Sequence, residues 1–166
     1  MGDKAPENMF RLATTADAKA VLALYHAQLG RPGCPWTTEY PNAQTIADDT
    51  ARHTLHLLCD DATGTLLAAA TLRPWPEHDT AAPWRHARTA DLMRICVAPA
   101  RQRQGLARAM MEHLRQCLRN DGLEAMRILV ADTNVPARAL YASLGAQCRG
   151  DHFAYDLHWL CFEWEI

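Results

Sequence analysis

Residues 97–111 read VAPARQRQGLARAMM, and the link between an apolar run and a helical pattern carries Arg101, Gln102, Arg103 and Gln104 ahead of Gly105. A helix leaves its first backbone N–H groups without partners inside the helix, and its dipole places partial positive charge at the same end. A tight turn leading into it aims several of those donors at one point, which is a place for an anion. Gly105 would let a ligand approach the backbone, Ala107 would leave room in the first turn, and Arg101 or Arg103 would add charge. By itself, RQRQG also reads as a solvated basic loop.

A second stretch, NVPARALYASLG at residues 134–145, holds a tyrosine among small and apolar side chains. Asn134 suits a helix N-cap, Pro136 its first turn and Gly145 its C-terminal cap. Tyr141 falls on the apolar stripe with Ala137, Leu140 and Leu144, so a core tyrosine needing one hydrogen-bond partner is an adequate account of it. Other chemistry is poorly supported. Cys34 has no histidine and carboxylate placed by sequence to activate it. The eight histidines include no HExxH spacing, and the six cysteines are irregularly spaced without C-x-x-C. No metal and no disulfide framework is expected, and reduced thiols are.

The elements that must position these residues alternate between strand and helix, an α/β pattern without repeats. A short strand near MFRLA is followed by TTAD, which resembles a capping box, and then by Ala18, Val21, Leu22, Tyr25 and Leu29 on one helical face. After the breaker-rich GRPGCPW come a helix over NAQTIADDTARH and a hairpin from TLHLLCDD, the turn ATG and TLLAAATLR. Residues 74–88, PWPEHDTAAPWRHAR, read as a long loop beside a site. The order then runs through strand ADLMRICV, a helix from Gly105 to about Asn120, strand MRILVA, the helix around Tyr141 and two closing strands. Leu106, Ala109, Met110, Leu114, Cys117 and Leu118 share one face of the long helix, and Gly122 suits its end.

One domain over residues 1–166 is the expectation for this length. The formal net charge of -2 gives no general electrostatic reason to seek nucleic acid or an anionic membrane. The start lacks signal-peptide features, and no segment approaches the roughly 20 apolar residues of a membrane helix, so a cytoplasmic location is expected.

The string VAPARQRQGLA resembles the acyl-CoA signature of the GNAT acetyltransferase superfamily, Q/R-x-x-G-x-G/A after a strand, with Gln102, Gly105 and Ala107 at its three positions. Ala107 stands where glycine is common. NVPARALYASLG resembles the later N-x-x-A-x-x-L-Y-x-x-x-G segment at Asn134, Ala137, Leu140, Tyr141 and Gly145. The resemblance implies a mixed, mostly antiparallel sheet flanked by helices, with central parallel strands that splay apart. It also implies acetyl-CoA as cosubstrate. Backbone groups of Gln102, Arg103, Gln104, Gly105, Leu106 and Ala107, with Arg108, would cradle its pyrophosphate. Those of Ile95, Cys96 and Val97 would bond the pantetheine arm, and Asn134 and Ala137 would lie on the cofactor side. Tyr141 would protonate the departing thiolate, and a backbone N–H near Val97 would face the carbonyl oxygen.

An ammonium has no lone pair, so an attacking amine must first lose a proton. Asp91 stands where some relatives carry a glutamate base; its shorter side chain favours a water relay, and a solvated strand-end carboxylate is the plain alternative. The fold's acceptor pocket is usually walled by the loop between the first two helices, here GRPGCPWTTEYP, and by residues 74–88. Trp36, Tyr40, Trp75 and Trp84 would supply aromatic walls, with Glu39 attracting a cationic amine. The expected activity is acetyl transfer to a primary amine of a small molecule or peptide, and a homodimer is compatible with it. Two other readings stay open: an acyl-CoA-binding sensor or partner-binding module without chemistry, and a tRNA-acetylating toxin, which the neutral charge disfavours.

Overall fold

A computed structural model describes residues 8–74 and 84–166. Most of the predicted 74–88 loop, with Trp75, lies outside the described residues. The order is β1 (Asn8–Leu12), α1 (Ala18–His26), α2 (Ala43–Ala51), β2 (Leu55–Asp60), β3 (Leu66–Pro74), β4 (Thr89–Val97), α3 (Leu106–Asn120), β5 (Ala125–Ala131), α4 (Val135–Ser143), β6 (Gln147–Ala154) and β7 (Leu157–Glu165). The strands form one seven-stranded sheet in the order β1-β2-β3-β4-β5-β7-β6. β1, β2 and β3 pair antiparallel, as do β5 with β7 and β6 with β7. Only β4 and β5 are paired in parallel among these ladders, as expected when a helix rather than a tight turn joins two strands.

That parallel ladder is short. It runs from Thr89↔Ala125 to Leu92↔Ile128, while β4 continues to Val97 and β5 to Ala131. β5 keeps its other edge paired throughout, ending at Ala131↔Trp159.

The chain forms two compact units. The first holds residues 8–29, 36–71 and 94–111. Its core gathers Val21, Leu24 and Tyr25 of α1, Ile46 of α2, Leu55, Leu57 and Cys59 of β2, Ala69 of β3 and Cys96 of β4. The predicted face of α1 needs correction at both ends: Ala18 is exposed, Leu24 is buried instead, and Leu29 lies beyond the helix, which ends at His26. The TTAD box is present, with the Thr14 N–H donating to the Asp17 carboxylate at 2.8 Å, but it opens a 3-10 turn (Thr15–Asp17) that runs on into α1. Asn42 caps α2, accepting from the Thr45 N–H at 3.0 Å.

The second unit holds residues 30–35, 72–93 and 112–166, apart from 75–83. Met126, Ile128, Phe162, Trp164 and Tyr141 are buried in it. So is Glu163, which accepts from Arg149 Nε at 2.9 Å and from the backbone N–H groups of Arg85 and His86 at 3.0 and 3.1 Å. A buried carboxylate must be satisfied in this way, and here it fixes the chain just before β4. On α3, Leu106, Met110, Leu114 and Leu118 of the predicted stripe are buried and Met111 joins them, while Ala109 and Cys117 are half-buried. Among the described residues no helix is long and apolar enough to cross a membrane, and none of the six cysteines forms a disulfide.

Candidate active site

The strand-to-helix turn is built as its composition requires. Pro99 opens a 3-10 turn (Pro99–Arg101) closed by the Arg101 N–H on Ala98 O at 2.8 Å. Arg103 and Gly105 then take positive φ values of 62° and 81°. Two left-handed residues so close together reverse the chain within a few positions. The Gly105 carbonyl accepts from the Ala109 N–H at 3.0 Å, so Gly105 is the cap and α3 begins at Leu106, one residue later than predicted. The first amides of α3, those of Leu106 and Ala107, have no acceptor inside the helix. A Cβ built on Gly105 would meet nothing within 4 Å. Its glycine therefore serves backbone conformation and an open approach, not close internal packing. That geometry fits the diphosphate of an acyl-CoA.

Gln102 is turned the other way. Its Nε2 donates to the Val97 carbonyl at 3.1 Å, and Gln28 at the end of α1 donates to the same carbonyl at 3.1 Å. Two side-chain amides thus hold the last carbonyl of β4, while the Ala98 N–H donates to Leu67 O at 2.8 Å. Ile95 is half-buried, and Cys96 and Val97 are buried. Gln28 was not among the predicted site residues; its signal, one polar side chain in the turn just after α1, is faint in a sequence.

In the second unit, Asn134 Oδ1 accepts from the Ala137 N–H at 3.3 Å and caps α4, with Pro136 in the first turn. Gly33 packs against that cap so closely that a Cβ on it would lie 2.6 Å from Asn134 Cα. Tyr141 is 3% exposed and packs on Phe162 with ring centroids 6.0 Å apart. Burial pushes its phenol well above the ordinary value, so it stays protonated at neutral pH. Its hydroxyl has no hydrogen-bond partner among the described residues.

Asp91 pairs with Arg127 across the parallel ladder. Arg127 Nε and Nη2 donate to its two oxygens at 2.7 and 3.1 Å, and the guanidinium lies 5.1 Å from the Trp84 ring centroid. The carboxylate is therefore held by a fork, with 30% of its side chain still in contact with solvent. Trp84, predicted as an acceptor wall, stacks on that cation.

The predicted acceptor residues of the first unit differ among themselves. Trp36 packs edge-on against Tyr25, centroids 5.3 Å apart, at the border of the core. Glu39 is exposed. Tyr40 is 47% exposed, and its hydroxyl accepts from Arg94 Nη1 at 2.7 Å. The structure thus places the 102–108 turn, Val97 and the Trp36–Tyr40 loop in the first unit. Asp91, Asn134, Ala137 and Tyr141 are in the second.

In fold the chain is similar to a GNAT family acetyltransferase from Streptococcus agalactiae, with a TM-score of 0.80 and 20% identity over 96% of this chain and 95% of that one. It is also similar to a putative acetyltransferase from Salmonella typhimurium solved with its cofactor acetyl-CoA, with a TM-score of 0.74 and 19% identity over 96% and 94% of the two chains. These likenesses, with the short parallel ladder, define the acyl-CoA N-acyltransferase class of fold. In sequence, 56 residues are 46% identical to the ribosomal protein bS18-alanine N-acetyltransferase of Escherichia coli K12. That stretch covers 34% of this chain and 38% of the relative's length. Residues 20–146 match the Acetyltransferase (GNAT) family, and the chain belongs to that family.

Proposed function

We propose that this protein transfers the acetyl group of acetyl-CoA directly to a primary amine of a small molecule or peptide. The observation that carries the reading is the turn from Gln102 to Ala107, where Gly105 combines a φ of 81° with open space in front of its Cα at the head of α3. Acetyl-CoA supplies an acyl thioester, the electrophile that the chain itself lacks. Backbone N–H groups of Arg103 to Ala107 bind the diphosphate, with Arg108 nearby. The backbone of Ile95 to Val97 holds the pantetheine arm, and the clamp of Gln28 and Gln102 on Val97 O keeps that strand end in place. Asn134 and Ala137 line the cofactor side.

Tyr141 is the proton donor for the departing thiolate, a role supported by a buried, protonated phenol without a partner of its own among the described residues. Asp91 takes the amine proton through water. Arg127 holds its two oxygens, so a water, not the carboxylate itself, meets the amine. Trp36, Glu39 and Tyr40 receive the acceptor, with Glu39 drawing in a cationic amine. The alanine N-acetyltransferase relative supports a peptide α-amine as the first acceptor to try. The proposal places the reaction in the cytoplasm.

The test is Gly105→Glu, which puts bulk and negative charge where the diphosphate belongs. Acetyl-CoA should raise the melting temperature of the parent and leave that of the folded variant unchanged, and the variant should release no thiol. An unchanged ligand-induced shift in the variant would remove the phosphate cradle from the account.

A further inference from the structure

Arg94, in the middle of β4, has a φ of 52°. This is the left-handed region, which a residue with a Cβ adopts at a cost and keeps only where its surroundings fix it. The surroundings here are unusually polar for a core. The Arg94 side chain is 4% exposed, and its Nη2 is paired with Oδ2 of Asp49, whose side chain is 2% exposed. Asp49 Oδ2 also accepts from Thr71 Oγ1 at 2.8 Å. The other terminal nitrogen, Nη1, donates to the Tyr40 hydroxyl at 2.7 Å. One guanidinium therefore joins β4, α2, β3 and the loop between α1 and α2, all within the first unit.

A buried ion pair is a poor device for stability alone, because apolar residues of similar volume usually serve as well. What the planar fork adds is direction: two donors leave Arg94 at a fixed angle, one inward to Asp49 and one outward to Tyr40. Tyr40 is accordingly a surface aromatic with its hydroxyl anchored in the interior. At its start the loop's Trp36 packs on Tyr25 of α1, and the backbone between Thr37 and Tyr40 is closed locally, by the Thr37 N–H on Tyr40 O at 2.9 Å and the Tyr40 N–H on Thr37 O at 3.3 Å. On the other side of Arg94, the next three residues are Ile95, Cys96 and Val97.

We infer that Arg94 is a positioning residue for the amine acceptor: through the Tyr40 hydroxyl it holds the loop from Trp36 to Pro41 in fixed relation to the β4 backbone from Ile95 to Val97. The inference rests on the reading that this loop receives the amine. It assigns the order of the loop's Tyr40 end to one side-chain bond, the Trp36 end being held by packing on Tyr25.

Two variants test it. Tyr40→Phe keeps the exposed ring and removes only the acceptor of the Arg94 bond. Arg94→Lys keeps the charge opposite Asp49 but cannot reach both partners with a fork. Both should raise the amine KM about tenfold, as expected for loss of a hydrogen bond to a charged group. The acetyl-CoA KM should not change, and kcat should stay within about twofold. Hydrogen exchange should quicken at the Thr37 and Tyr40 amides and not in α2 in either variant. A merely structural role would instead lower the melting temperature and leave the two KM values in their parental ratio. Parental amine KM and parental loop exchange in Tyr40→Phe would overturn the inference. If the parent acetylates no amine, the acceptor reading fails by itself. Faster loop exchange in Tyr40→Phe would then still support the anchor, and unchanged exchange would sink it as well.

Discussion

Tyr141→Phe removes one oxygen and leaves the ring against Phe162. Fold and acetyl-CoA affinity should change little, while kcat should fall by roughly 10²-fold if the hydroxyl is the proton donor. Burial raises this phenol above its ordinary value of 10.0, so the donor stays protonated throughout the neutral range. Any alkaline decline that it causes must lie above pH 10 and must vanish in the variant, which a kcat–pH profile will show. Asp91→Asn has a different signature, because it leaves the buried Arg127 without its carboxylate. A loss of about 1–3 kcal/mol is expected, below the value for a fully buried pair because Asp91 is partly in water. Denaturant unfolding measures it. Turnover normalised to folded protein should also fall, with a KM for acetyl-CoA that does not move. At this scale the sequence was informative where a residue acts through its own backbone. Gly105 was legible for that reason. Gln28 and Arg94 were not, because their partners lie 69 and 45 residues away along the chain and only the fold brings them together.

Among the elements, the 3-10 turn into α1 offers a test that depends on pH. Asp17 accepts from Arg11 Nη1 and Nη2 at 2.7 Å each and from the Thr14 N–H. The Arg11 bonds hold its carboxyl well below the ordinary 3.8, against a smaller opposing effect of burial. A depressed carboxyl stabilises the fold above its unfolded value and loses that contribution as the pH falls through the folded one. Asp17→Asn should therefore cost about 1 kcal/mol at pH 7, discounted because Arg11 is partly solvated. The gap between parent and variant should be constant down to about pH 4 and close below it, as followed by melting temperature. Element types were largely legible in the sequence. The β2–β3 hairpin announces itself through Gly64, whose φ is 69°, and the parallel β4–β5 pair through the helix that links them. The order of the last strands was not, since nothing local in two closing strands says that β7 rather than β6 lies beside β5. The helix predicted to His53 ends instead at Ala51, and His53 takes a φ of 56°.

For the whole molecule, a ligand that binds only the native state must raise its stability, by about 2.7 kcal/mol at a hundredfold excess over Kd. Acetyl-CoA should do so in one cooperative transition. The net charge of -2 sets a further expectation, that RNA binding will be absent or weak and will not show the steep salt dependence of phosphate recognition. The family was legible because its two motifs are local strings; the identity of the acceptor was not, because on the proposed reading it depends on side chains of a loop that Arg94 of β4 reaches through Tyr40. The central claim is acetyl transfer to an amine, and its most direct test is the rate of thiol release from acetyl-CoA across a panel of small amines and short peptides, including one with an N-terminal alanine, with the acetylated product identified by mass. The account predicts amine-dependent thiol release, saturable in both substrates, with one acetyl group gained on the acceptor amine. Tight acetyl-CoA binding with no thiol release above the amine-free rate for any member of the panel would contradict it and make the protein an acyl-CoA sensor.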